Sequence, residues 1–554
     1  MKYTYRFYLL LLATTLIGTS NLWGQASSDA YRNVQNGVTG TARTKAIGGA
    51  AGAIGADAGA VYTNPAGLAL LSRSTFGIGM DFGKDNSSVT TGDQTIGRTL
   101  GLSALNNISY FSRGYHIPTN GDNYLKLNYG ISYGREYNYK RDYEMNSFAP
   151  RFSITDLISS KANYLGLGKE AYIRTKTYDP FQSNVNPMVA LALNGDIIEF
   201  AEVKDNATGN IISQGYNTKF NDKETLIPWK IRSSNLNVSE RGHRNYTDFN
   251  LGMNLNDRYF FGAALRLGTM TYSRASMLRE DFDDRKDNNN SYLEYGTSLD
   301  VTGSSIALNL GFLMAIGDYG RIGISYITPQ YAQYKELYSG TVASWHNGIK
   351  NPKNRYYTFP TDEYRSEYGM ITPGKLTISA MAFLSKYGMV SYDFQYRNIG
   401  HSKILLSGAG VSGASDFIKE DYGAELTHRV GLEVRPINWL SLRTGYAYTG
   451  NPLKSEPLKK EAEGGLDYEY PASGMIADFI LPRSYQAITG GIGFNIGRST
   501  TLDLAYVHEI RKEKAYPFTG WTDPKGPEKS FIAVKGGDLK ETRGSFVANL
   551  TFRF

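Results

Sequence analysis

Leu125-Lys126-Leu127-Asn128-Tyr129-Gly130-Ile131-Ser132-Tyr133-Gly134-Arg135-Glu136-Tyr137-Asn138-Tyr139 decides the fold class. Leu125, Leu127, Tyr129, Ile131, Tyr133, Tyr137 and Tyr139 alternate with Lys126, Asn128, Gly130, Ser132, Gly134, Glu136 and Asn138. Successive side chains of a strand point to opposite faces, so one face is apolar and aromatic and the other small or charged. The pattern recurs in pairs joined by short turns. Phe249–Leu255 turns at Asn256-Asp257 into 259–272, Ile306–Ile316 turns at Gly317-Asp318 into Ile322–Tyr326, and Leu376–Leu384 meets Val390–Tyr396. Val430–Val434 meets Leu440–Tyr448, and Ile488–Ile496 meets Leu502–Tyr506. Each is a hairpin by spacing and turn chemistry. Between the hairpins lie long polar stretches, at about 140–244, 273–303, 329–373, 399–425, 450–483 and 509–542. Short turns alternating with long loops are the layout of an outer-membrane barrel. With strands near 74–82, 98–112 and 543–554, the count reaches about fourteen, an even number that closes an all-β antiparallel barrel.

Composition agrees and excludes other classes. The 554 residues contain 60 Gly and 42 Tyr but no Cys, which removes disulfide scaffolds, thiolate metal sites and a lipoprotein anchor. A mean hydropathy of −0.37 excludes a bundle of apolar spanning helices. The formal charge of +7 is small for this length and dispersed, so nucleic acid is not an expected partner. Lys2 and Arg6, the apolar run from Phe7 to Ile17 and the step Gly24-Gln25-Ala26 read as a signal peptide over 1–26. The final strand places Phe546, Ala548, Leu550, Phe552 and Phe554 at every second position. This ending resembles the signal read by the barrel assembly machinery, which is therefore an expected partner.

Residues 27–72 differ from the rest. Small residues dominate from Ala46 to Ala69, and Asn64-Pro65-Ala66-Gly67 should form a turn whose Asn caps a short helical stretch opened by Pro. A compact segment of this kind could sit inside a barrel. Here the chain resembles the FadL-like family of outer-membrane transporters for long-chain fatty acids and other hydrophobic compounds. The resemblance is carried by Ala56-Asp57-Ala58-Gly59-Ala60-Val61-Tyr62-Thr63-Asn64-Pro65-Ala66-Gly67-Leu68-Ala69, by Ile324–Pro329, by Ile371-Thr372-Pro373, by Val430–Arg435 with Leu442–Tyr446, and by Leu502-Asp503-Leu504-Ala505-Tyr506. It implies a fourteen-stranded transmembrane barrel over 73–554, plugged by an N-terminal hatch at 27–72, in a Gram-negative outer membrane. It also implies passive uptake: capture of a hydrophobic small molecule at external loops, entry into the bore, a shift of the hatch at Asn64, Pro65 and Ala66, and lateral exit into outer-membrane lipid.

Inward charges are the remaining candidates. Lys126, Glu136, Asp393, Glu433, Arg435, Arg443 and Asp503 fall on the polar face, where charges commonly pair to hold a lumen together. Of the favoured three, Glu433, Arg443 and Asp503, Arg443 has the bidentate fork suited to a ligand carboxylate. No enzymatic activity, metal or cofactor is expected. Gly130-Ile131-Ser132-Tyr133-Gly134 has the spacing of a hydrolase elbow but lies mid-strand, and the six histidines are scattered. Two other readings of the same barrel stay open: a surface assembly or secretion partner, motivated by the long 140–244 stretch, and an outer-membrane lipase using Ser132.

Overall fold

The computed structural model describes residues 27–118, 124–148, 152–168, 186–204, 211–221, 228–283, 291–346, 356–360, 363–406, 410–411, 414–454, 475–519, 521–522, 531–532 and 534–554. The leader read at 1–26 lies outside the described residues. Fourteen antiparallel strands close a barrel. They are β1 (Thr75–Thr91), β2 (Gln94–Pro118), β3 (Tyr124–Asn138, continuing as Arg141–Phe148), β4 (Lys230–Leu255), β5 (Tyr259–Asp283), β6 (Ser291–Ile316) and β7 (Gly320–Ile327 and Gln330–Trp345). There follow β8 (Tyr364–Thr372 and Lys375–Phe383), β9 (Gly388–Asn398), β10 (Ala424–Ile437), β11 (Leu440–Thr449), β12 (Phe479–Ile496), β13 (Thr500–Tyr516) and β14 (Gly537–Arg553). Closure comes from β14 on β1, in register from Thr75↔Arg553 to Thr90↔Asp538.

The wall is taller than a bilayer needs. β4, β5 and β6 are 26, 25 and 26 residues long, a contour of roughly 85 Å at ~3.3 Å per residue, against an outer-membrane apolar band ~25 Å tall. The lower part has the expected polarity: Phe76, Ile78, Leu251, Leu265, Leu267, Ile306, Leu308, Leu310 and Leu504 are exposed on the outside. Above it the apolar side changes face while the strand keeps its register. On β5 the outward series runs from Leu265 and Leu267 into Thr269, Thr271 and Ser273, whereas the inward series becomes Met270, Tyr272, Leu278 and Phe282, all buried. β6 does the same, with Leu293, Tyr295, Leu299 and Val301 inside. The belt below makes this an outer-membrane barrel; the part above is a water-facing wall around its own hydrophobic core.

That inversion corrects the loop boundaries. The stretches at 140–244, 273–303 and 329–373 contain wall at 141–148, 230–244, 273–283, 291–303, 330–345 and 364–372. The opening stretch is corrected too. A β-bulge in the β3–β4 pairing between Arg135 and Tyr137 shifts the phase, so Tyr137 and Tyr139 are buried while Tyr129 and Ile131 are exposed.

Residues within the long 140–244 stretch cap the upper core. Helices α4 (Ile154–Tyr164) and α5 (Pro187–Asn194) bury Ile154, Ile158, Met188, Val189 and Leu191 in the same cluster as Phe282, Leu293 and Val342. A hairpin of Ile198–Lys204 on Ile211–Thr218 follows. The other α-helices among the described residues are α1 (Ser27–Arg32), α2 (Ala42–Ala46) and α3 (Ala58–Thr63) at the N-terminus and α6 (Ala414–Asp421) after β9.

The belt fixes a mutational contrast. Leu310→Arg, in the middle of the β6 apolar run, should cost about 2–4 kcal/mol of folding stability in lipid, whereas Thr302→Arg, outward on the same strand above the belt, should cost under ~1 kcal/mol. Urea unfolding in vesicles, read by the heat-modifiable gel shift, measures both.

Candidate functional site

The segment from Ser27 to Leu71 lacks sheet partners, so its backbone groups need others. The inward faces of the strands supply them. Asn106 of β2 donates to Gly40 O (2.7 Å), Asn128 of β3 to Leu68 O and Leu71 O, and Arg244 of β4 to Asn33 O and Gln35 O. Asn309 of β6 donates to Tyr62 O (3.1 Å) and Ser325 of β7 to Thr63 O (2.8 Å). Asp393 of β9 accepts from the Ala51 and Gly52 amides at 3.0 Å, and Thr489 of β12 donates to Ala46 O and accepts from the Gly48 amide. Partners on seven strands around the wall mean that the segment crosses the bore. It starts beside α6, where Tyr31 stacks on Tyr422, and ends at the short-turn end, where it enters β1.

Asn64, Pro65 and Ala66 lie directly on the wall. Asn64 is buried; its side-chain oxygen accepts from the Ala66 amide (3.1 Å), capping the 3-10 turn Pro65–Leu70, and its amide donates to Gly52 O and to Phe312 O of β6. The wall beneath is glycine. Gly252, Gly262 and Gly311 stand side by side on β4, β5 and β6, and a Cβ at Gly262 would lie 2.1 Å from Ala66 N, at Gly311 2.0 Å from Asn64 Oδ1. A second pair, Gly431 on Gly445, seats Ile47 in the same way. The glycines are there for backbone approach, a signal no single strand pattern reveals.

Of the predicted lumen charges, Glu433, Arg435, Arg443 and Asp503 form one cluster at the short-turn end. Arg443 is buried and doubly paired, with Nε on Glu433 (2.7 Å) and Nη1 on Asp503 (2.6 Å). Glu433 also receives Arg43 of the N-terminal segment (3.0 Å) and half-exposed Arg435. Arg43 is the partner the sequence reading missed. Elsewhere Glu136 accepts from Tyr62 and Arg244, and Lys126 pairs with Asp257 at a turn. Buried carboxylates and guanidiniums are costly unless paired in this way. Ser132 is buried and accepts from Asn250.

The wall is interrupted between β2 and β3. β2 pairs with β3 only from Asn107↔Gly134 down to Pro118↔Tyr124, so the upper part of β2 has no backbone partner on that side, and Arg141–Phe148 pairs with β4 alone. Among the described residues, side chains bridge the interval, Lys140 to Gly101 O (2.7 Å) and Arg98 to Glu144. A cavity of about 70 Å³ lies there, lined by Leu102, Ser103 and Ala104 of β2, Arg135 to Asn138 of β3 and Gly37 to Thr39 of the N-terminal segment. A second of about 80 Å³ above it shares Tyr137, Asn138, Glu541 and Arg543. Both are well below the ~300 Å³ at which ligand pockets begin.

The cap is held by an acid pair outside the membrane belt. Glu280 of β5 is buried and accepts from the Ser153 hydroxyl and the Ile154 amide (3.2 Å), while Asp156 accepts from the Ser153 amide (2.8 Å). Burial pushes Glu280 up to about 8 and Asp156 up to about 6, above the ~4 of a solvated carboxyl.

No family model and no curated protein matches the sequence. Among solved structures, the chain is similar to a Pseudomonas aeruginosa FadL homologue, at 11% identity and TM-score 0.48 over 94% of this chain and 100% of that one. It is similar also to the Pseudomonas putida toluene transporter TodX, at 11% identity and TM-score 0.43 over 94% and 98%, and to the Ralstonia pickettii toluene transporter TbuX, at 12% and 0.42 over 96% and 99%.

Two outcomes follow from the contacts. Gly262→Ala should dislodge the Asn64–Ala66 turn and make expressing cells more sensitive to a bulky hydrophilic antibiotic, whereas Gly97→Ala, with nothing within 4 Å of the new methyl, should not. Because the docked cap keeps protons that a released cap gives up, docking is strongest below about pH 4 and weakens as the pH rises toward 8. Hydrogen exchange of Ile154–Tyr164, corrected for intrinsic rates, should accelerate from pH 5.5 to 8.5, and Glu280→Gln should remove most of that change.

Proposed function

We propose that this barrel passively transports hydrophobic small molecules across the outer membrane, with long-chain fatty acids as the cargo class and lateral exit into the bilayer. The observation that carries the reading is the interrupted β2–β3 wall with a cavity behind it that touches the N-terminal segment. In this reading the segment is a hatch. Cargo enters past α4 and α5, moves along the upper cavities as the segment shifts near Gly37–Thr39, and leaves between β2 and β3.

Energetics favour that exit over the straight path. The space at the short-turn end is lined by Thr41, Asp57, Thr75, Ser109, Asn495 and Thr551 together with arginines, so an acyl chain passing there would be hydrated, at about 0.8 kcal/mol per exposed CH₂. A sideways step keeps it in hydrocarbon. The cap helices bury their apolar faces in the barrel mouth, which gives this part of the 140–244 stretch an internal role and favours transport over a surface assembly partner.

The chain has no Cys, so an engineered pair is the only thiol pair present. Ser103→Cys with Arg135→Cys, joined by a reducible bifunctional maleimide, should lower uptake of labelled oleate to the level of cells lacking the protein, and reduction should restore it. Uptake unchanged by the cross-link would remove the lateral route; uptake equal with and without the gene would remove the cargo.

A further inference from the structure

At the short-turn end of the bore, three guanidiniums converge on one carboxylate. Arg43 of the N-terminal segment and Arg435 and Arg443 of the wall all donate to Glu433. Asp503 neutralises part of this excess through Arg443, and Asp57 is occupied by the Thr41 hydroxyl and the Gly59 amide. A fourth arginine, Arg553, stands on the same cavity; its Nη1 donates to Thr501 (2.7 Å), and among the described residues it has no carboxylate at ion-pair distance. The cavity holds about 270 Å³. Asn549, buried on its wall, keeps a side-chain oxygen without a hydrogen-bond partner. Four guanidiniums against three engaged carboxylates leave a positive excess.

We propose that this cavity is an anion site, taking a phosphate or carboxylate group between Arg43 of the segment and Arg553 of the wall. Guanidiniums recognise such groups through charge-assisted, often bidentate hydrogen bonds. Arg443, the sequence candidate for a ligand carboxylate, is already paired with Glu433 and Asp503, whereas Arg553 has only the Thr501 hydroxyl and no carboxylate among the described residues. A bound anion links segment to wall from the periplasmic side. The site stands whether or not cargo crosses the barrel.

Isothermal titration of the purified full chain with inorganic phosphate, acetate and dodecyl phosphate tests it. Binding of at least one is expected, weakened tenfold or more by Arg553→Gln and unchanged by Arg98→Gln at the opposite end. Dodecyl phosphate competing with phosphate identifies a lipid headgroup as the source; phosphate alone identifies the free ion; both support the site. The gel shift reports whether R553Q assembles, and if it does not, Arg43→Gln, away from the terminal strand, carries the same expectation. No binding of any probe, or affinity unchanged by loss of the arginine, overturns the proposal.

Discussion

Each long strand has to satisfy two solvents with one alternation. In the bilayer the outside must be apolar and the inside may be wet; above it the outside meets water and the inside must supply a core. The chain solves this by moving apolar residues from one parity to the other, as between Leu267 and Met270 on β5, with no change in pairing. The consequence is a barrel with a charged lower lumen and a packed hydrophobic upper one.

The N-terminal segment belongs to both compartments. Its upper residues, Ala30, Tyr31 and Val34, join the hydrophobic cluster, while its lower ones satisfy the wall's amides, hydroxyls and carboxylates through a largely unpaired backbone. Lys45 on Asp81 and Arg43 on Glu433 extend the exchange to charge. Buried ion pairs of this kind give more positional specificity than net stability, since loss of either partner strands the other. Glycine rows set how closely the segment approaches, so its position is fixed by sterics as well as by polarity.

Much of this was legible in the sequence. Five hairpins, the 125–139 stretch, the strands near 74–82 and 98–112 and the terminal strand made fourteen, because membrane-facing positions repeat every second residue. The upper wall was not legible: when Thr269, Thr271 and Ser273 take the outward face and Met270 and Tyr272 the inward one, the pattern reads as noise unless parity is tracked through the switch. Inward Arg443, Glu433 and Asp503 were found together, since alternation predicts facing. Arg43 and Arg553 were not, because their roles come from a tertiary meeting of the two ends of the chain. The interrupted wall is likewise invisible locally, being a missing partner and not a residue type.

The central claim is that the chain's own leading segment stops the pore. Planar-bilayer conductance of the purified protein tests this directly, compared with a chain lacking residues 27–72. The account predicts no steady ion current from the full chain and an open-pore current from the shortened one. A full chain that conducts as freely as the shortened one would contradict it.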